Sequence, residues 1–224
     1  MAKMIRTEQE ERTIYSATTF RILLDSLAHP GKIHQLTAPS FLGEPPCPIT
    51  LTTQQRTANG YAPGALLTLL DREVTFAVVV NGMEVEHNES LVQWLAVRSG
   101  SCCVDAARAN FVLFCDGKCG KILEHLDCGT LLEPELSATA MLCVKQLHNT
   151  SASSKGVHCE LTGPGIETKR LIIIEGMERG DIEAILRTRQ GYPLGVDVYL
   201  IDAQGQCIGL PRTTRIHVQH DDVA

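Results

Sequence analysis

The stretch Val74-Thr75-Phe76-Ala77-Val78-Val79-Val80 is a nearly unbroken β-forming run, and it limits the fold more than any other part of the chain. A strand with one wet face alternates apolar and polar residues, whereas this one needs cover on both sides. It is expected to be a central strand. Shorter runs of the same character recur at Phe111 to Cys115, Ala138 to Leu147, Arg170 to Ile174 and Val196 to Ile201. Between them lie helical patterns. From Ile14 to Ala28, Phe20, Leu23, Leu24 and Leu27 recur at helical offsets and predict one buried face. His29-Pro30-Gly31 ends that helix, with His29 as a helix-end residue interacting with free carbonyls or, alternatively, a catalytic imidazole. Pro63 suits a first helical turn ahead of Leu66, Leu69 and Leu70. Asn88 can cap a helix carrying Leu91, Val92 and Leu95, and Asp181 to Arg189 carries Ile182, Ile185 and Leu186 on one face. A weaker helical pattern runs through Ile122, Leu123 and Leu126. Residues 37–64, interrupted by Pro39, Pro45, Pro46, Pro48 and Pro63, predict little regular structure.

This order predicts an α/β fold, a mixed β-sheet flanked by helices. The 224 residues suit one domain, 1–224, with 1–13 and 219–224 as flexible ends. Val157 to Leu161 is expected to pair antiparallel with Ala138 to Leu147 across a Ser-rich loop, and no internal repeat is present.

A formal charge of -6 argues against a broad nucleic-acid interface, which calls for a basic face. Any phosphate recognition must be local. No run has the roughly 18 or more apolar residues of a membrane span, and the first eight residues lack the apolar stretch of a signal peptide. The expectation is a cytoplasmic protein. Nine cysteines, an odd number with irregular spacing, do not read as a disulfide framework. Cys47, Cys102, Cys103, Cys143, Cys159 and Cys207 sit among apolar or strand-like neighbours and read as small hydrophobes. Cys115, Cys119 and Cys128 surround His125, so three thiolates and an imidazole offer a zinc site as an alternative to a purely structural role. No CxxC pair supports it.

Two C-terminal segments carry the chemistry of interest. Gly191-Tyr192-Pro193-Leu194-Gly195-Val196-Asp197 turns sharply and holds Asp197 at the mouth of a strand. Leu210-Pro211-Arg212-Thr213-Thr214-Arg215 sets two guanidiniums around two hydroxyls, donors suited to carboxylate or phosphate. The plainer reading is a solvated edge strand in which arginine and threonine alternate. Thr162-Gly163-Pro164-Gly165-Ile166 invites comparison with a phosphate-cradling loop, but Pro164 removes a donor and turn geometry explains the glycines equally. There is no Gly-x-Ser-x-Gly elbow and no HExxH. Glu84 with Glu86, and Asp221 with Asp222, read as solvating charges, and His217 with His220 as part of a frayed tail.

Four segments together closely resemble the PhnH family, subunits of the bacterial carbon-phosphorus lyase system. They are Phe20-Arg21-Ile22-Leu23-Leu24 leading to Pro30-Gly31-Lys32-Ile33, then Leu161 to Ile166, Pro193 to Asp197, and Leu210 to Thr214. The resemblance implies a fold similar to the large domain of pyridoxal-phosphate-dependent transferases, a homodimer when isolated, and a core complex with PhnG, PhnI and PhnJ. That complex displaces adenine from ATP with an alkylphosphonate. The resemblance brings no pyridoxal phosphate, and none of the seven lysines sits in a motif for a Schiff base, so no cofactor is expected. It assigns no catalytic residue, which leaves Arg212, Thr213, Thr214, Arg215, Asp197, Gly163 and Gly165 as candidates for anion binding or subunit contact. The alternative function is a stand-alone binding protein or enzyme for a phosphorylated or phosphonate ligand.

Overall fold

The computed structural model describes residues 7–39, 43, 45–46, 60–149 and 155–219. Cys47, His220, Asp221 and Asp222 lie outside the described residues. In chain order the elements are α1 (Glu8–Ala28), β1 (His34–Gln35), α2 (Tyr61–Leu69), β2 (Thr75–Val80), β3 (Met83–Glu84), α3 (Ser90–Ser99), β4 (Cys102–Cys103), β5 (Phe111–Phe114), β6 (Thr139–Val144), β7 (Gln146–His148), β8 (Val157–Thr162), β9 (Arg170–Glu175), α4 (Arg179–Thr188), β10 (Asp197–Asp202), β11 (Gln206–Leu210) and β12 (Arg215–Val218). Among the described residues no helix is long and apolar enough to cross a membrane.

The large sheet runs β1-β11-β10-β6-β5-β2-β3, with β4 also against β2. Its middle is parallel: β10 pairs with β6, β6 with β5 and β5 with β2, while β1, β11 and β3 add antiparallel edges. This is the mixed sheet the sequence predicts, and the central run is β2. Successive residues of β2 go to opposite cores. Phe76 and Val78 pack with Leu23, Leu66, Trp94 and Leu95 of α1 to α3, and Ala77 and Val79 join the other side.

That other side corrects the expectation of a sheet flanked simply by helices. It is covered by α4 together with a second, four-stranded antiparallel sheet of order β12-β8-β9-β7. The expected pairing of Val157 to Leu161 with Ala138 to Leu147 is also corrected. The long run breaks at Lys145: β6 stays in the large sheet, and β7 crosses to the small one, where β9 separates it from β8.

α1 differs from expectation at both its start and its face. It begins at Glu8, not Ile14, because Thr7 and Glu10 form a reciprocal capping box, so residues 8–13 are helical where a flexible end was expected. Its buried residues are Tyr15, Thr19, Leu23 and Ser26, and Phe20 and Leu24 are exposed. The cause is close packing. A Cβ at Gly209 of β11 would lie 2.5 Å from the Ser26 backbone, so the helix rests on the sheet through small residues. α3 is preceded by Glu89 as its cap residue, not Asn88, and ends at left-handed Gly100.

Candidate anion site at the junction of the two sheets

β11 belongs to the large sheet and β12 to the small one, so the four residues between them carry the chain across. They form a turn closed by the Thr214 N–H donating to the Pro211 carbonyl at 2.8 Å. An edge strand through Arg212 to Arg215 is therefore excluded, and only Arg215 enters β12, opposite Thr162. The turn, the β8 end at Gly163-Pro164, the end of α4 and the Tyr192 loop enclose an open groove of about 640 Å³. Arg189, Arg212 and Arg215 line it with Thr213 and Thr214, and no Asp or Glu is among its described lining residues. Leu186, Tyr192 and Ile216 supply apolar wall.

The three arginines do different work. Arg212 is held as a structural clamp: its Nη2 donates to Asp197 Oδ2 at 2.7 Å, its Nε to Oδ1 at 3.3 Å and its Nη1 to the Pro134 carbonyl at 2.6 Å. The Arg212 backbone N–H adds a 2.7 Å bond to the same carboxylate. The two charged side chains are 15% and 21% exposed, so this pair is shielded enough to have energetic weight. Asp197, the first residue of β10, is thus the partner of Arg212 and not a residue of the groove lining.

Arg189, the cap residue of α4, donates from Nη2 to the Leu210 and Val196 carbonyls at 2.6 and 3.3 Å and from Nη1 to the Thr214 carbonyl at 3.2 Å. Those bonds hold both ends of the turn. Burial lowers its pKa to about 10, with Asp197 acting upward and Arg212 downward, so it remains a cation at neutral pH. Its buried Nε has no partner among the described residues. Arg215 is exposed and makes no ion pair with the described residues. Thr214 is 2% exposed, and its buried Oγ1 has no partner there either.

The glycine turn contributes space. Gly163 has φ of +133°, and a Cβ there would stand 2.9 Å from the Thr213 carbonyl oxygen, so glycine lets β8 end directly against the turn. Gly165 does not join the groove. It backs onto the Ala28 carbonyl and the Pro30 ring at the end of α1.

The chain matches the family described as bacterial phosphonate metabolism protein (PhnH) over residues 9–217. It belongs to the PhnH family. It is also 28% identical, over 203 residues, to the putative C-P lyase subunit protein HtxG of Stutzerimonas stutzeri, an alignment covering 90% of this chain and 86% of that one. Two of the PhnH-like segments, Leu161 to Ile166 and Leu210 to Thr214, meet at the groove through Gly163 and the Arg212 turn. A third, Pro193 to Asp197, ends behind it at the Arg212 clamp.

The structure does not gather Cys115, Cys119, Cys128 and His125 into one cluster. Among the described residues no three His, Cys, Asp or Glu side chains come together as a metal site. Cys119 is buried, and burial, followed by Asp181 and Asp116, pushes its thiol well up. Burial and Asp127 likewise raise Cys128, against a smaller downward effect of Arg212. His125 Nδ1 lies 2.7 Å from the Lys121 carbonyl. The eight described cysteines are free thiols. Arg189 is the groove residue that sequence reading missed. Its only signal was a basic residue closing a helix beside the Gly191 to Asp197 turn, which many surface helices share.

Proposed function

We propose that this chain is the PhnH-type subunit of a carbon-phosphorus lyase core complex, acting with PhnG, PhnI and PhnJ. In that reaction the N-glycosidic bond of ATP breaks, an oxygen of methylphosphonate bonds to the ribose carbon, and adenine leaves with a proton. The product is ribose 1-methylphosphonate 5-triphosphate. The observation that carries this reading is the family match over residues 9–217. The groove is in keeping with a shared role: its described lining residues offer cationic donors and hydroxyls but no His, Cys, Asp, Glu or Lys that would serve as a general base. In the same reading the chain is one cytoplasmic domain, homodimeric when isolated, with the sheet of the large domain of pyridoxal-phosphate-dependent transferases and no cofactor.

Co-expression with PhnG, PhnI and PhnJ followed by size-exclusion chromatography tests the assignment. The chain is expected to co-elute with them, and adenine release from ATP and methylphosphonate is expected to need it. Elution apart from all three partners would refute the subunit reading. Turnover by the purified chain alone would favour a stand-alone enzyme.

A further inference from the structure

We infer that the groove binds the phosphate or phosphonate group of a small organic molecule, held by Arg215 at its rim against the Thr213-Thr214 turn. The inference deepens the reading above and rests on it for the organophosphorus class of ligand. The donor set is independent of that reading. Three arginines converge on a groove with no carboxylate among its described lining residues, in a chain whose formal charge is -6. The Asp197 carboxylate is taken up by Arg212, and Arg215 makes no ion pair with the described residues. Two of the lining residues each carry a buried donor, Thr214 Oγ1 and Arg189 Nε, without a partner among the described residues, although buried polar groups are nearly always satisfied.

The number of donors selects the head group. Arg215 presents a guanidinium fork, and Thr213, Thr214 and Arg189 add further donors around it. A carboxylate has two oxygens to meet them; a phosphoryl group has three, arranged as a tetrahedral face that accepts from several directions. The apolar wall selects the rest. Tyr192, 67% exposed, stands with Leu186 and Ile216 beside the arginines and gives a planar or aliphatic body a surface to cover. A volume of about 640 Å³ falls within the size of small-molecule sites and exceeds what inorganic phosphate fills. Arg212 acts here as a positioning residue, since its guanidinium is spent on Asp197 and Pro134.

Calorimetric titration of the full chain with phenylphosphonate and AMP tests the inference, with benzoate and adenosine as comparisons. Both organophosphorus probes are expected to bind, adenosine to give no heat, and benzoate to bind more weakly than phenylphosphonate. Arg215→Ala is expected to weaken binding by about 10- to 100-fold, as loss of a charge-assisted contact does, and Arg215→Lys to restore part of it. Thr214→Val, similar in shape, should cost several-fold, and Arg187→Ala, which loses only its pairing with Glu124, should change nothing. Heat-silent titrations with both probes overturn the inference. So does benzoate binding as tightly as phenylphosphonate, or affinity that survives Arg215→Ala. Absence of binding with co-elution intact would sink this site and leave the subunit reading standing; binding without co-elution would do the reverse.

Discussion

Replacing Arg212 by alanine should destabilise the protein while Arg215→Ala leaves its stability nearly unchanged, although the two arginines lie three positions apart in one segment. Arg212→Ala removes two side-chain bonds to Asp197 and one to the Pro134 carbonyl. Hydrogen bonds to charged groups contribute about 1.5–3 kcal/mol each, and breaking a buried ion pair costs about 3–5 kcal/mol. The Asp197 carboxylate keeps the Arg212 backbone N–H at 2.7 Å, which holds the loss to the lower end, about 3 kcal/mol. At about 2–4 °C per kcal/mol for a chain of this size, the melting midpoint should fall by about 6–12 °C. Urea unfolding of the two single variants and a double-mutant cycle with Asp197→Ala measure it. The cycle should return a coupling of about 1–3 kcal/mol. Arg215→Ala, exposed and unpaired among the described residues, should stay within about 0.5 kcal/mol of the native protein. A near-native Arg212→Ala, or strict additivity with Asp197→Ala, would show that the clamp has no energetic weight and refute the division of roles.

Gly209→Ala should cost about 1–3 kcal/mol in urea unfolding, because its Cβ would stand 2.5 Å from the Ser26 backbone and force α1 off the sheet; native stability would refute that contact. Gly163→Ala should weaken phenylphosphonate binding, since φ of +133° and the nearby Thr213 carbonyl oblige the turn to move; unchanged affinity would separate the glycine from the site. His34, whose side chain is 9% exposed, has its pKa lowered first by burial, then raised by Asp25 and lowered by Lys32, His29 and Arg170, for a net downward shift. The unfolded chain therefore binds the extra proton between the ordinary value of about 6.5 and the lower folded value. Its contribution is complete above about pH 6.5 and is lost as pH falls through the folded value. The loss of stability between about pH 7 and pH 5 should shrink in His34→Gln, and an identical pH profile would refute the assignment.

The central strands could be read from sequence because a parallel strand buried on both faces needs a continuous apolar run, and Thr75–Val80 and Asp197–Asp202 both have one. α1 could not be read the same way. Its contact face uses Thr19 and Ser26 because close approach to Gly209 favours small residues over large ones, so hydrophobic spacing pointed to Phe20 and Leu24, which are exposed. The second sheet was hidden for a different reason. Its edges are fixed by which strand lies beside β9, and neither β7 nor β8 carries a local signal of that choice.

The site shows the same boundary between local and non-local information. A proline followed by Arg-Thr-Thr-Arg announces clustered donors, and the turn does place them together at a groove. Sequence gave the two arginines equal claims on an anion, because a guanidinium looks alike until its partner is known. Asp197 decides between them. It sits at the start of β10, and the β10–β11 pairing of Val198 with Leu210 brings it beside the turn, where it takes the guanidinium two residues past that register point. Arg212 is thereby converted from a candidate ligand contact into a brace, and Arg215, carried onto the small sheet opposite Thr162, makes no ion pair with the described residues. Arg189 arrives from α4 to bond the carbonyls at both ends of the turn. A ligand cation in such a site must be both positioned and unspent, and three arginines divide those tasks: two hold the turn, and the third stays available at its rim.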